Sequence, residues 1–320
     1  MVVPTPPLAP IIAFFSAKGG VGTTTLVYHL AWMLSDLGLK VLAVDLDPQA
    51  NLTTAFRGPG TSELFRDLKI DDPTSSLGQV ISDGLVLLSS DLMLPTREEE
   101  LAVEWQGALG GNGNAFGALS PRWRLMRDLE RDNEAQLILL DLGPNLSAIN
   151  RASLIAADHI VVPLAPDMFS VQGLEILGST LRKWRVDWRE RLACSPSKGV
   201  DLPAGAMTPL GYVVLQTGVA MRAFEDWINW IPDYYRKFVL DDPPMSSISI
   251  LNDPNKLGIL RPYRSLLEMA REARKPMFHL KPADGAIGAY LQSAEDARKD
   301  FEALARAIVS KANLPISFSS

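Results

Sequence analysis

Two runs near the start of the chain are apolar almost without interruption: IIAFFSA at 11–17 and KVLAVDLDP at 40–48. Short continuous apolar runs bounded by turn residues read as strands buried on both faces. Between them the period changes. In TTTLVYHLAWMLSDLG (23–38), Leu26, Leu30, Met33 and Leu34 fall on one helical face, and Gly38 supplies a stop. Strand, helix and strand in this order predict parallel pairing through a right-handed crossover.

The same alternation continues down the chain. Further strands are predicted in GLVLLSS (84–90), QLILLDLGP (136–144), HIVVPLAP (159–166) and LGYVVLQTG (210–218). Helices are predicted at 146–157, 170–188, 220–236 and 261–273, with a last one near 288–310. The pattern therefore specifies an α/β fold, with a mainly parallel sheet and helices on both faces. Residues 56–135 are less regular and include GALGGNGNAFGALS (107–120), which reads as a Gly/Asn-rich loop. The expected organisation is a Pro-rich lead-in at 1–10 and a single domain over 11–315, elaborated at about 56–135.

Composition narrows the class. The chain has 320 residues, 47% of them hydrophobic and 21% charged, enough for a large core and unlike a disordered sequence. The net charge of −6 leaves any nucleic-acid contact to local patches. The single cysteine, Cys194, cannot form an internal disulfide or a Cys-rich metal site, which suits a reducing cytoplasm. His29, His159 and His279 are scattered and suggest neither a metal site nor a triad. The opening MVVPTPPLAP lacks the pattern of a signal peptide, and no run approaches the length of a membrane span. The segment DFEALARAIVSKANL (300–314) is amphipathic without the basic face of a membrane anchor, so it is expected to pack on the domain.

The candidate chemistry lies at the strand ends. A Gly-rich turn between a buried strand and a helix presents backbone N–H groups at the positive end of that helix, which suits phosphate. Gly19, Gly20 and Gly22 allow close approach, and Thr24 occupies the position where a hydroxyl meets Mg²⁺. Asp45, Asp47 and Asp141 end apolar strands, at the edge where ligands bind in such sheets. One residue breaks the rule. A phosphate-binding loop of the P-loop type ends in Gly-Lys-Ser/Thr, but here Thr23 follows Gly22 and the nearest lysine is Lys18. A second reading stays open: Gly20, Gly22 and Thr25 with Asp45 approximate a dinucleotide fingerprint, although Thr25 replaces the third glycine.

Several ordered motifs resemble one family. KGGVGTTT is similar to the deviant Walker A motif of the ParA/MinD group of P-loop ATPases, and DLDPQANLT (45–53) resembles the second ParA motif. LILLDLGPNLSAINRASLIAADHIVVPLAPDMFSVQGL resembles the third motif and the strand after it, and EARKPMFHLKPADGAIGAYLQSAEDARKDFEALARAI the C-terminal end. The resemblance implies a P-loop fold that binds ATP and Mg²⁺ and pairs as an ATP-dependent homodimer. Lys18 would be the signature lysine reaching the partner's phosphates. Gly19, Gly20, Val21, Gly22, Thr23, Thr24 and Thr25 would form the cradle. Asp47 would position the attacking water, Asp45 would support the metal region with Thr24, and Asp141 would be the Walker B acid. Gln216 or Thr217 would read adenine. Implied partners are nonspecific DNA and a ParB-like or other adaptor, with a cytoplasmic, nucleoid-associated location and no membrane. Two departures stand out: Thr23 replaces the second lysine, and DLGP stands where many members have two prolines. Similar relatives of the TadZ/CpaE type also carry a polar residue at the first of these positions. Slow hydrolysis is therefore expected, or a hydrolysis-dead scaffold that localises a partner.

Two islands of positive charge run against the acidic average. Residues 182–198 carry Arg182, Lys183, Arg185, Arg189, Arg191 and Lys198 against Asp187 and Glu190. Residues 256–281 carry Lys256, Arg261, Arg264, Arg271, Arg274, Lys275 and Lys281 against Glu268 and Glu272. Each reads equally as a solvated helix face or as a DNA-contacting patch, with Arg271, Arg274 and Lys275 the candidate contacts. The pairs Trp184/Trp188 and Trp227/Trp230 have helical spacing and read as core or interface anchors.

Overall fold

The structure is a computed structural model that describes residues 8–58, 78–90, 98–195, 201–216, 221–243 and 248–314. The elements in chain order are β1 (Ile11–Phe14), α1 (Thr23–Asp36), β2 (Val41–Asp45), α2 (Asn51–Arg57), β3 (Gly78–Ser82) and β4 (Leu85–Leu88). Then come α3 (Glu98–Leu109), α4 (Gly113–Leu119), α5 (Pro121–Asn133), β5 (Leu137–Asp141), α6 (Ala148–Ala156) and β6 (His159–Leu164). The last are α7 (Met168–Cys194), β7 (Thr208–Leu215), α8 (Met221–Tyr234), β8 (Lys256–Leu260), α9 (Arg264–Ala273) and α10 (Ala289–Lys311).

The strands form one eight-stranded sheet in the order β3-β4-β2-β5-β1-β6-β7-β8. Among the described strands, only the edge pair β3–β4 is antiparallel. The continuous apolar strands have the cause expected of them. In β1, Ile11 and Ala13 pack into one core, Ile12 and Phe14 into the other, and all four are sealed from solvent. One core includes Leu26, Leu30 and Leu34 of α1 together with Phe301, Leu304 and Ile308 of α10. The other includes Trp105, Phe116, Leu174, Leu181 and Trp188. The parallel crossovers put every βα turn from β1, β2 and β5 at the same sheet edge, where the motifs lie.

The structure corrects the loop expected at 107–120. That segment forms the end of α3 and all of α4, and the Asn112 side chain caps α4 by accepting from the Asn114 N–H at 3.0 Å. Burial of Phe116 and Ala115 supplies the driving force that the glycine-rich composition concealed. β3, β8 and the helices α2 to α5 were not specified by the hydrophobic pattern. Of the lead-in, only residues 8–10 are described. There the Ala9 N–H donates to the Glu130 carboxylate, and Arg127 donates to the Ala9 carbonyl. Trp184 and Trp188 are core residues, whereas Trp230 is half exposed.

Much of the first charge island is consumed in packing. Arg182 donates to the Phe238 carbonyl, Arg185 to that of Met207 and Arg191 to that of Trp105. Lys183 and Arg189 remain exposed, and Lys198 lies outside the described residues. Among the described residues, no helix is long and apolar enough to cross a membrane.

Candidate functional site

The Gly-rich loop joins β1 to α1, and Gly22 stands at the helix N-cap with φ 96°. This left-handed conformation favours glycine, and a Cβ there would touch Leu215 at the end of β7, at 3.4 Å. No side chain caps α1, so the N–H groups of its first turn open toward the loop. The loop borders a cavity of about 740 Å³. Lys18, Gly19, Gly20, Gly22, Thr23, Thr24, Thr25 and Asp47 all line it. Val21 is buried beside it and does not contribute to the lining.

Three carboxylates meet at this edge. Asp45 of β2 and Asp141 of β5 are register partners, and both are sealed from solvent. Asp45 accepts from the Thr53 N–H and hydroxyl, each at 2.7 Å, and from the Asp47 N–H at 3.2 Å. Burial outweighs these donors and raises its pKa to about 6. Asp141 differs in kind. Among the described residues neither of its carboxylate oxygens meets a donor in hydrogen-bond geometry, although the Thr24 hydroxyl comes close enough to lower its pKa in part. Burial first, then the Asp45 charge, holds its pKa well above the usual aspartate value. Asp47 reaches the cavity, its carboxylate accepting from the Gln49 N–H at 3.0 Å while its carbonyl accepts from the Ser90 hydroxyl at 2.6 Å. A Cβ at Gly143 would stand 3.2 Å from Asp47 Oδ1, so the glycine of DLGP leaves space that the Asp47 carboxylate uses.

Lys18 is ion-paired with Asp167, the residue whose carboxylate also caps α7 by accepting from the Ser170 N–H at 2.9 Å. Gln216 does not line the cavity; its N–H donates to the Leu260 carbonyl at 3.0 Å and extends the β7–β8 pairing. Thr217 lies outside the described residues.

The cavity is wider than the motifs implied. It continues past α1, lined by Tyr28 and His29, to Thr54 and Gly58 at α2 and to Arg271, Arg274 and Lys275 at the end of α9. The three proposed DNA contacts thus share a cavity with the phosphate-type loop. His29 is buried, with Nδ1 2.7 Å from the Thr25 carbonyl, and burial lowers its pKa to about 4. It is neutral at neutral pH. Thr53, the partner of Asp45, was legible only as part of the DLDPQANLT run.

Among the described residues, no group of three or more His, Cys, Asp or Glu side chains could hold a metal. Mg²⁺ uses one or two carboxylates, water and substrate phosphates in place of a protein cage. The two unmatched oxygens of buried Asp141, with Thr24 near, fit such an ion.

A sheet with this strand order, a glycine turn between β1 and α1 and acids ending β2 and β5 defines a P-loop fold. A family model described as an AAA domain matches residues 9–194, and with the relatives below it places the chain in the ParA-like family of P-loop ATPases. It is 33% identical over 181 residues to the chromosome-partitioning ATPase Soj of Thermus thermophilus, a match covering 57% of this chain and 65% of that protein. The chain thus spans somewhat less than two-thirds of that relative's length. In fold it is similar to protein DIP2308 of Corynebacterium diphtheriae, with TM-score 0.64 and 20% identity over 94% of this chain and 98% of that one. It is likewise similar to a McdA variant of Cyanothece in complex with ATP, with TM-score 0.60 and 17% identity over 97% and 99% of the two chains.

Proposed function

We propose that this chain is a Mg·ATP-binding switch in which nucleotide brings two copies together and the paired form holds a partner. The observation that carries this reading is Asp141: a fully buried carboxylate that meets no donor in hydrogen-bond geometry among the described residues and has the Thr24 hydroxyl close by. A charge so placed is costly without a cation, and Mg²⁺ brought in with nucleotide phosphates supplies one. Thr24 and Asp141 would hold the ion, with Asp45 behind them, and the ion would neutralise phosphate charge. Gly19 to Thr25 would cradle the phosphates, and Asp47, which reaches the cavity, would orient water. Lys18 would act across the interface once it leaves Asp167. Gln216 stands at the end of β7, beside the loop-contacting Leu215, as the candidate adenine contact. The ATP complex of the McdA relative supports an adenine nucleotide, and the Soj relative supports a partition or positioning role.

Hydrolysis is expected to be slow, because Thr23 brings no cation to the phosphates where the lysine would stand. That same residue favours a second reading, a scaffold that binds nucleotide, pairs and localises a partner without turnover. The partner is nonspecific DNA or an adaptor protein of ParB-like type, at the nucleoid or elsewhere in the cytoplasm. The dinucleotide reading loses its ribose acid, since Asp45 is sealed from solvent and committed to Thr53.

Calorimetry with Mg·ATP, Mg·ADP and NAD tests the nucleotide assignment. Adenine-nucleotide binding that weakens in EDTA and in Asp141→Asn is expected. NAD binding tighter than both, or no nucleotide binding at all, would overturn it.

A further inference from the structure

Four cations line the cavity: Lys18, Arg271, Arg274 and Lys275. Two of them are committed to ion pairs, and a third is crowded against Gly58. Lys18 is paired with Asp167, and Lys275 with Asp284 at 2.6 and 2.9 Å. The Arg274 guanidinium stands close over Gly58, where an added Cβ would lie 2.8 Å from Cζ. Arg271 has no ion-pair partner among the described residues, and its side chain is exposed on the cavity wall. It sits in the last turn of α9, where the helix dipole favours a cation.

We propose that Arg271 supplies, from α9, the phosphate-directed cation that Thr23 withholds from the loop. The proposal rests on the nucleotide reading above and adds a residue to it. Thr23 and Arg271 line one continuous cavity. A guanidinium is well suited to the role. It stays charged, its fork matches phosphate oxygens, and it is more weakly hydrated than an ammonium. His29 lines the same cavity. Burial chiefly lowers its pKa, so the neutral ring does not compete with Arg271 for an anion there. One consequence is structural. α9 follows β8 at the far edge of the sheet from β2, so bound phosphate would tie the C-terminal part of the fold to the loop.

The test is calorimetry of Mg·ATP binding to wild type, Arg271→Ala, Arg271→Lys, Thr23→Lys and the Thr23→Lys/Arg271→Ala pair, each with its thermal midpoint recorded. Arg271→Ala is expected to weaken Mg·ATP binding at least tenfold at an unchanged midpoint. Arg271→Lys should recover part of that loss, and the double variant should recover most of it, because the lysine restores the cation from the loop. Wild-type binding with Arg271→Ala equally tight would overturn the proposal and leave the nucleotide reading standing. So would a double variant no tighter than Arg271→Ala. A wild type that binds no nucleotide would instead sink the nucleotide reading, and this proposal with it.

Discussion

Asp45 and Asp141 are direct register partners on adjacent parallel strands, both fully buried, and the first is hydrogen-bonded while the second is not. Burial is the main cause that disfavours ionisation of both, and the Asp45 charge adds to it for Asp141. A carboxyl whose folded pKa is raised holds its proton more tightly folded than unfolded. Its contribution is present below the ordinary aspartate value of 3.8 and is lost as pH rises through about 6. Nucleotide-free protein should therefore lose stability relative to Asp45→Asn across that window. The difference should change by on the order of 3 kcal/mol, since each tenfold change in proton affinity is worth about 1.4 kcal/mol. Urea unfolding of both proteins in EDTA across this range measures it, and a difference independent of pH would contradict it.

The missing loop lysine has a kinetic consequence. Thr is neutral and offers one hydroxyl, whereas an ammonium makes charge-assisted bonds about twice as strong. Thr23→Lys should raise ATP turnover at least tenfold, about 1.4 kcal/mol of barrier. Phosphate-release assays under saturating Mg·ATP read this directly. A wild type as fast as the variant would mean that Thr23 is no handicap to turnover, with Arg271 serving the transition state as well as nucleotide binding.

Lys18 must leave Asp167 before it can reach a partner's phosphates. Asp167→Asn should keep the α7 cap, because an asparagine side chain also accepts from the Ser170 N–H, while it releases the lysine. The expected result is dimer formation at lower Mg·ATP concentration, with a thermal midpoint close to wild type, since partly exposed ion pairs contribute about 0–1 kcal/mol. Analytical ultracentrifugation over a nucleotide series is the check. A higher nucleotide requirement would show that Asp167 supports the interface and does not restrain Lys18.

How much the sequence disclosed depends on what each residue's signal is local to. The strands β1, β2 and β5 were legible because burial on both faces leaves a continuous apolar run. The loop and the three aspartates were legible because strand ends share one edge. The helix α4 was hidden because its stability comes from Phe116 burying against Trp188, a contact distant in sequence. Arg182, Arg185 and Arg191 looked like a charged face, but their partners are carbonyls far along the chain or on another helix. The cavity wall formed by Arg271 and Arg274 was illegible for the same reason: nothing near α9 in sequence marks the loop as its neighbour.

DNA binding through the second charge island makes a separable prediction. Affinity for random-sequence duplex should fall steeply with salt, and Arg274→Ala/Lys275→Ala should reduce the slope of log K against log salt by about 2. Fluorescence anisotropy over a salt series measures both. An unchanged slope in the folded variant would return these residues to their contacts with Gly58 and Asp284.

The central claim is that nucleotide converts one copy into two, and light scattering after size exclusion tests it most directly. The 35.0 kDa chain should elute as a monomer without nucleotide and with Mg·ADP, and at twice that mass with Mg·ATP. Lys18→Ala should remain a monomer throughout. A mass that does not change with Mg·ATP, or a Lys18→Ala protein that pairs as wild type does, would contradict the switch.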